Sequence, residues 1–372
     1  MPDPVIAATI DHLKLEASIG GYEAADAQAA AIEGVYRDLA GLIAARPENV
    51  AIVANATAGF IQAISSFDFA PSDVIVTTRA DYTSYQIQFL ALAQRLGVVV
   101  RHAADLPEGG VDPDSVRKLA RDPRCRLVHL SWIPTNSGLV QDAEGVGQVC
   151  EHLGVPYLLD ACQAVGQIPI DVARLRCDYL SATARKFLRG PRGIGFLYAS
   201  DRALARGDHP LFVDMRGARW VDVDRYEIAT TAERYEDWEF PYALVLGLGA
   251  AARYASGVGV AEAGQRASEL AARVRTGLAT LPGTRVLDRG QHQCAIVTAS
   301  FANRSASDVV RELTKRRINT VASLRWYGLL DFTEKQVESA IRISPHYYNT
   351  EEECGAAVAA IEEILEGGSP GA

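Results

Sequence analysis

The sequence predicts an α/β protein built on a mostly parallel seven-stranded sheet, followed by a smaller C-terminal α+β domain. Short, continuous apolar segments alternate with helical segments through residues 17–245, which is typical of parallel strands covered on both faces. After residue 245 the pattern changes to long helices and isolated strands. We therefore assign 17–245 to a large domain and 246–372 to a small domain, to which residues 1–16 contribute an N-terminal segment.

The individual elements follow from the same pattern. Strands of the large domain are predicted at 50–54, 74–78, 98–102, 127–132, 157–160, 179–183 and 194–198. Helices are predicted between them at 59–67, 84–96, 113–120 and 143–153. In the small domain we predict helices at 242–256, 307–316 and 351–365, strands at 295–301 and 341–344, and a loop at 321–328.

The two chain ends carry expectations of their own. Because the helical pattern begins directly after Met1, we expect a short segment to precede this residue in the full protein. The glycine-containing tail at 367–372 is expected to be frayed.

Composition excludes several classes of function. The chain has 372 residues, of which 48% are hydrophobic and 22% charged, as in ordinary globular proteins. A net charge of −9 argues against nucleic acid or an anionic membrane as a partner. The six cysteines are scattered without a CxxC pair, which indicates reduced thiols and a cytoplasmic location. The seven histidines show no metal-binding spacing, so we expect no metal.

Lys186 and Asp160 form the most informative pair in the sequence. Asp160 ends the predicted strand 157–160, and Lys186 follows the strand 179–183 by a few residues. Ligands of parallel sheets bind at the carboxyl ends of the strands. An acid and a lysine placed in this way are the layout of a pyridoxal phosphate (PLP) site. The lysine forms the Schiff base and the acid keeps the pyridine nitrogen protonated. Asp160 could also cap the following helix.

A phosphate site is predicted where a helix begins after the first strand. The backbone N–H groups of Ala56, Thr57 and Ala58, together with the Thr57 hydroxyl, suit a bound phosphate. A simple helix cap is the alternative interpretation. Thr183 lies three residues before Lys186 and would face the same phosphate.

Three further residues are assigned to the ring and the substrate. Gln163 lies one turn after Asp160, where its side chain could bond to the ring hydroxyl. Tyr82 could stack on the pyridine face and border the substrate, although a surface aromatic is the alternative. Arg342 is a single charge in an apolar strand, so it suits a bidentate substrate carboxylate or else a buried ion pair.

On these motifs the chain resembles the class V, cysteine desulfurase-like branch of fold-type I PLP enzymes. The Asp-x-x-Gln block at 160–163, the lysine block at 184–195 and the arginine block at 342–352 carry the similarity, which covers nearly the whole chain. The resemblance implies the fold-type I architecture and a homodimer with its site at the subunit interface. It also implies that the segment 234–239, with Trp238, reaches the neighbouring subunit's site.

The same resemblance implies roles in the cofactor site. Tyr82 is expected over the ring, and Thr57 and Thr183 on the phosphate. Two positions depart from the desulfurases, which have a histidine at Arg185 and usually one at Tyr82. The loop 321–328 also lacks the cysteine that forms the persulfide in those enzymes, so the desulfurase mechanism is disfavoured.

A subgroup of the class V enzymes resembles the sequence more closely than the desulfurases do. The segments 20–25, 184–186 and 342–346 resemble ergothioneine-pathway C–S lyases, and the chain is also similar to lincosamide-pathway PLP enzymes that act on cysteine S-conjugates. This resemblance implies a C–S β-lyase that releases a sulfur product, pyruvate and ammonia from a cysteine S-conjugate or its sulfoxide.

In that mechanism Arg342, helped by Thr135 or Asn136, holds the substrate carboxylate, and Lys186 removes the α-proton. The same residues serve transamination, epimerisation or decarboxylation with deamination, and these alternatives stay open. A non-catalytic protein with a PLP fold is a further alternative, which the complete set of site residues disfavours.

Overall fold

The computed structural model describes residues 1–367, and residues 368–372 of the expected frayed tail lie outside the described part. Its larger sheet has seven strands in the order β1-β7-β6-β5-β4-β2-β3. These strands are β1 (Val50–Val53), β2 (Val74–Thr77), β3 (Val99–His102), β4 (Cys125–Ser131), β5 (Tyr157–Asp160), β6 (Tyr179–Thr183) and β7 (Gly195–Ala199).

This sheet is mostly parallel, as the sequence predicts. Only β7 runs antiparallel to its neighbours, β1 and β6, whereas the other neighbouring pairs in the sheet are parallel. Each of the seven predicted strands is present to within one or two residues. Most of the strands are buried along their whole length, because helices cover both faces of the sheet.

The helices of the large domain begin and end at recognisable caps. They are α4 (Ala56–Ile64), α5 (Thr83–Leu96), α6 (Pro113–Ala120), α7 (Ala143–Leu153), α8 (Val172–Leu175) and α9 (Asp201–Ala205). In α7, the Asp142 carboxylate accepts from the Gly145 N–H at the start of the helix. Gly154 ends α7 with a φ of 67°, a left-handed conformation that glycine adopts without strain.

The first helices pack against the long helix that follows the large sheet. They are α1 (Asp3–Ile19), α2 (Gly21–Ala27) and α3 (Ala29–Leu42), and the long helix is α10 (Tyr242–Val258). Both α1 and α3 pack on α10. A Cβ atom on Gly247 would lie 2.4 Å from Thr9 Oγ1, so the glycine permits the close approach of α1. The domain bounds at residues 16 and 245 stay a prediction.

The smaller C-terminal domain has its own sheet, as predicted. Four antiparallel strands follow the order β10-β11-β13-β12. They are β10 (Thr284–Val286), β11 (Val297–Phe301), β12 (Val321–Leu324) and β13 (Ser339–Ile343). The accompanying helices are α11 (Val260–Thr280), α12 (Ala306–Lys315), α13 (Leu329–Lys335) and α14 (Glu351–Glu366). A capping box formed by Thr350 and Glu353 begins α14.

Two segments differ from the predictions. The first half of the predicted loop 321–328 is the edge strand β12. This strand forms through its hydrogen bonds to β13, and its Val-Ala-Ser-Leu sequence alone does not predict it. The unpredicted hairpin of β8 (Ala218–Asp222) and β9 (Arg225–Ile228) pairs only with itself and is largely exposed.

Within residues 1–367, no single helix is long and apolar enough to cross a membrane. The pair α10 and α11, bent by 79°, meets the requirements of length and composition only when the two helices are taken together.

Candidate active site

A cavity of about 410 Å³ opens at the carboxyl ends of β1, β5 and β6. Six of the predicted site residues line it: Ala56, Thr57, Tyr82, Asp160, Thr183 and Lys186. The parallel strands bring these residues together from distant parts of the chain, since their carboxyl ends meet at one edge of the sheet. Their roles stay predictions, but their common location agrees with a single ligand site.

The start of α4 provides free hydrogen-bond donors at one end of the cavity. Asn55 caps the helix, and its Oδ1 accepts from the Ala58 N–H at 3.0 Å. The predicted phosphate ligand Ala58 is therefore already bonded, and it does not line the cavity. The N–H groups of Ala56 and Thr57 belong to the first turn, where no intrahelical acceptor exists, so they are available to an anion.

Thr183 faces the same end of the cavity from the last position of β6. Its hydroxyl makes a long contact of 3.5 Å with the Ile194 carbonyl, which leaves it able to turn toward a ligand. A Cβ atom on Gly195 would lie 2.4 Å from the Ala182 carbonyl and 3.2 Å from Asn55 Cα. Glycine at the start of β7 is therefore what lets this strand lie against the beginning of α4.

Asp160 is buried at the end of β5. Its Oδ1 accepts from the Cys162 N–H at 2.9 Å, and its Oδ2 lies 3.4 Å from Ser131 Oγ on the neighbouring strand β4. The carboxylate thus organises the turn that follows β5 and also lines the cavity. Burial, followed by the Asp160 charge, raises the pKa of the Cys162 thiol well above its ordinary value. Cys162 is therefore a protonated thiol in the cavity wall.

A buried hydrogen bond between Asp81 and His129 fixes the backbone beneath Tyr82. Asp81 Oδ2 lies 2.9 Å from His129 Nδ1, and Asp81 Oδ1 accepts from the Ser131 N–H at 2.6 Å. Burial acts to raise the pKa of Asp81, but the His129 charge and the hydrogen bonds outweigh it and lower the pKa. Ser131 Oγ then lies 3.3 Å from the Tyr82 N–H, so the network reaches the cavity wall.

Tyr85 lines the cavity as well, and the sequence analysis missed it. Its ring stacks on Phe60 at 4.1 Å between centroids and meets the Tyr82 ring at 5.4 Å. Burial, followed by the charge of Asp160, raises the pKa of Tyr85 well above its ordinary value. Its spacing of three residues from Tyr82 in α5 was the available signal, because residues three apart share a helix face.

Lys186 lies half-buried in the turn after β6. It lines the cavity beside Arg185 and Arg192. In the part of the chain that the structure describes, none of these three cations has a carboxylate within the 4.0 Å of an ion pair. A lysine with no acidic partner is free to form a covalent bond with a carbonyl ligand and to exchange protons.

Arg342 lies on β13 and is not among the residues that line the cavity. Its Nη1 donates to the Thr135 carbonyl at 3.1 Å, and no carboxylate among residues 1–367 pairs with it. The alternative of a buried ion pair is therefore not what the described residues show. Burial, followed by the charge of Arg185, lowers the pKa of Arg342. The Thr135 contact uses the backbone rather than the predicted side chain.

Asn136 binds the loop that follows β12. Its Nδ2 donates to the Tyr327 carbonyl at 2.9 Å, while its buried Oδ1 has no partner among the described residues. Thr83, at the start of α5, also donates to the Tyr327 carbonyl. The segment Arg325–Tyr327 is thereby held against the large domain, close to Tyr82.

Six predicted residues do not line the cavity: Ala58, Thr135, Asn136, Gln163, Trp238 and Arg342. Gln163 is buried in the turn after β5, where its carbonyl accepts from the Gln167 side chain. Trp238 is 49% exposed, and its N–H donates to Asp214 Oδ2 at 2.9 Å. The implied contact of Trp238 with a neighbouring subunit stays a prediction.

A second set of contacts, which the sequence did not reveal, joins the lysine turn to the loop after β13. His346 Nε2 lies 3.1 Å from the Phe187 carbonyl, and Arg189 Nη1 donates to the Tyr347 hydroxyl at 2.7 Å. Burial, the largest influence, lowers the pKa of His346 to about 4, so the ring is neutral at pH 7. These bonds couple the position of Lys186 to that of the strand that carries Arg342.

The described residues show no group of three or more histidine, cysteine or acidic side chains placed to hold a metal ion. The lysine, the buried carboxylate and the free helix N–H groups lie together as a PLP site requires. The model of the family described as aminotransferase class V matches residues 1–356. The chain therefore belongs to the aminotransferase class-V family, whose members depend on PLP, and the predicted family is confirmed.

Similar proteins agree with this assignment. The chain is 25% identical over 370 residues to a probable cysteine desulfurase of Methanothermobacter thermautotrophicus, covering 98% of this chain and 92% of the relative. It is 26% identical over 351 residues to a probable hercynylcysteine sulfoxide lyase of Mycobacterium tuberculosis, covering 94% and 84%. A cysteine desulfurase structure from Thermococcus onnurineus NA1 shares the fold, with a TM-score of 0.90, 22% identity and coverage of 99% and 92%.

Proposed function

We propose that the protein is a C–S β-lyase that acts on a cysteine S-conjugate or its sulfoxide. The products would be a free sulfur compound, pyruvate and ammonia. The observation that carries this proposal is the position of the cysteines. The segment Arg325–Tyr327, close to Tyr82, has none, and the thiol in the cavity wall, Cys162, is buried with a raised pKa. A thiolate is required to accept sulfur, so release of a free sulfur product fits the site better.

The residues present fit PLP. The phosphate would lie at the N–H groups of Ala56 and Thr57 with the Thr183 hydroxyl, Asp160 would hold the ring nitrogen, and Lys186 would attach the cofactor. When bound, the cofactor supplies an electron sink for the α-carbon of an amino acid. Stacking of Tyr82 on the ring and a bond from Gln163 to the ring hydroxyl are part of the proposal.

The chain's own side chains would orient the substrate and move its proton. Arg342, whose Nη1 is fixed by the Thr135 carbonyl, would bind the α-carboxylate, because a guanidinium matches a carboxylate bidentately. The free Oδ1 of Asn136 would accept a hydrogen bond from the substrate. Lys186 Nζ would take the α-proton, since no ion pair among the described residues holds it away.

The assembly and location belong to the same proposal. Exposed aromatic side chains on the hairpin and the segment after it, including Trp220 at 78% and Trp238 at 49%, suit a subunit interface. We propose a homodimer in which these residues approach the neighbouring site. The six free cysteines suit a reducing compartment, so we propose a cytoplasmic location.

The test is pyruvate release from a panel of cysteine S-conjugates and their sulfoxides by purified, PLP-loaded protein. We expect pyruvate together with one free sulfur product. Lys186→Ala should abolish turnover, whereas Lys118→Ala, at an exposed site on α6, should leave it unchanged. Conversion of the cofactor to its amine form without pyruvate would instead establish transamination, and release of carbon dioxide would establish decarboxylation.

A further inference from the structure

The active-site cavity is cationic although the chain is acidic. Lys186, Arg185 and Arg192 line it, and Asp160 is the one carboxylate among its lining residues, in a chain of net charge −9. Arg185 and Arg192 have no ion-pair partner in the described range 1–367. Like charges that converge on a cavity without counter-charges are unfavourable until an anion binds. The ligands of this site must therefore bring several negative charges.

From its position, we assign Arg192 to binding of the cofactor phosphate. Gly193, the next residue, lines the cavity, and β7 begins two residues later against Asn55 at the start of α4. Arg192 therefore lies in the turn that faces the phosphate end, where the helix N–H groups are free. A guanidinium there complements a phosphate, which carries between one and two negative charges near pH 7.

The position of Arg185 allots it to the opposite, substrate end. Arg185 lines the cavity one position before Lys186, and burial, followed by the charge of Arg185, lowers the pKa of Arg342. Arg342 is held by the Thr135 carbonyl, and Arg185 is exposed to the cavity without a hydrogen-bond acceptor among residues 1–367. Two guanidinium groups without a carboxylate partner among the described residues are therefore available to the substrate.

One cation has no assigned partner. The phosphate would bind Arg192 together with the N–H groups of Ala56 and Thr57, and the ring nitrogen would bind Asp160. Lys186 would attach the cofactor and Arg342 would bind the α-carboxylate, so Arg185 is left without an anionic group. We propose that Arg185 binds a second acidic group of the substrate, carried by the substituent on sulfur, so that the preferred substrates are anionic cysteine S-conjugates. Naming the substrate as an S-conjugate rests on the proposed lyase activity, whereas the preference for two acidic groups does not.

The first experiment compares two substrates that differ by one charge, S-carboxymethylcysteine and S-carbamoylmethylcysteine. The ratio of their kcat/KM values for pyruvate release is measured for the wild type, Arg185→Gln and the matched control Arg192→Gln. Loss of one charged hydrogen bond should lower the ratio about ten- to hundredfold in R185Q. R192Q should keep the wild-type ratio and bind PLP more weakly. R185K, which keeps the charge, should retain part of the preference.

A second experiment separates this inference from the lyase activity. Binding of glutarate and of its monoamide, glutaramate, to the PLP-loaded protein is measured by calorimetry, which needs no turnover. We expect glutarate to bind about tenfold more tightly than glutaramate, and R185Q to abolish the difference. This result without pyruvate release from any conjugate would refute the lyase and keep the inference. Pyruvate release with the same substrate ratio and the same glutarate preference in R185Q and the wild type would overturn the inference alone.

Discussion

Glu236 carries a buried carboxyl group that should make the stability of the fold depend on pH near neutrality. Its Oε1 accepts from the Ile52 N–H of β1 at 2.7 Å and from the Tyr36 hydroxyl at 2.8 Å. Arg216 Nε lies 3.8 Å from Oε2. Burial is the largest influence, and it raises the pKa of Glu236 from 4.5 to about 7 although these three partners act to lower it.

The sign of the effect follows from which state binds the proton more tightly. With the pKa raised in the folded state, the folded protein holds the Glu236 proton between pH 4.5 and about 7, whereas the unfolded chain has lost it. The contribution to stability is therefore complete below pH 4.5 and is lost as the pH rises through about 7. At 1.36 kcal/mol for each pH unit, the difference between the two pKa values corresponds to roughly 3 kcal/mol.

Glu236→Gln removes the titration and keeps the shape of the side chain. The amide oxygen can still accept from the Ile52 N–H, and the amide nitrogen can donate to the Tyr36 hydroxyl oxygen. Urea unfolding of the PLP-loaded protein is measured at pH 5, 6, 7 and 8 and at one protein concentration. We expect the wild type to lose about 2.5 kcal/mol of unfolding free energy relative to E236Q between pH 5 and pH 8, since a small part of the contribution is already lost at pH 5.

The control is Glu362→Gln, at an exposed position of α14. It should reproduce the pH profile of the wild type, since that carboxylate is hydrated in both states. Other titrating groups are common to all three proteins and cancel in the differences. Parallel profiles for the wild type and E236Q would refute the reasoning, because they would show that burial of Glu236 does not raise its pKa.

Three further predictions concern packing, the link between the domains, and the thiols. Gly147→Ala should lower the unfolding free energy by about 1–3 kcal/mol, because its Cβ would lie 2.0 Å from the Leu175 carbonyl. Gly355→Ala has open space around it and should raise the unfolding free energy by up to about 1 kcal/mol. Thermal unfolding of both variants checks these two values. Arg189→Met removes the hydrogen bond between the turn that carries Lys186 and the loop after β13. It should therefore raise the KM about tenfold and lower kcat by a smaller factor, and separate measurement of the two constants checks this. Iodoacetamide should label at most Cys125 in the native protein. The Cys125 thiol is only half-buried, and burial raises its pKa to about 11, so its labelling should be slow. Labelling of any other thiol, read by mass spectrometry, would contradict the argument that the remaining thiols are buried and protonated.

The large sheet could be predicted from the sequence because its strands are buried on both faces. Segments such as Val50–Val53 and Gly195–Ala199 are continuous apolar runs, and their polar neighbours mark where each strand ends. The edge strand β12 and the exposed hairpin of β8 and β9 lack that signature. They pair with one partner strand and are exposed along much of their length, so charged or small residues interrupt the apolar pattern.

The site could be predicted as far as strand ends allow. Asp160, Thr183 and Lys186 follow strands directly, so topology alone brings them into one cavity. Contacts that depend on side-chain direction could not be foreseen. The His346 and Phe187 contact joins residues 159 positions apart, and the Ala58 N–H is taken by Asn55 rather than left for a phosphate.

The segment after β12 connects the fold to the proposed chemistry. Both Thr83 and Asn136 donate to the Tyr327 carbonyl, so the backbone of this segment is tied to the large domain at a single oxygen. A loop that carries a sulfur atom to an acceptor must move away from the site. The two hydrogen bonds to the Tyr327 carbonyl oppose such a movement. Under the proposed function the segment would therefore form a fixed wall beside the space for the substituent on sulfur, and Arg185, which lines the cavity, would supply its charge. If this wall and this charge select the substrate, then the choice among anionic conjugates lies in residues that the common PLP machinery does not use.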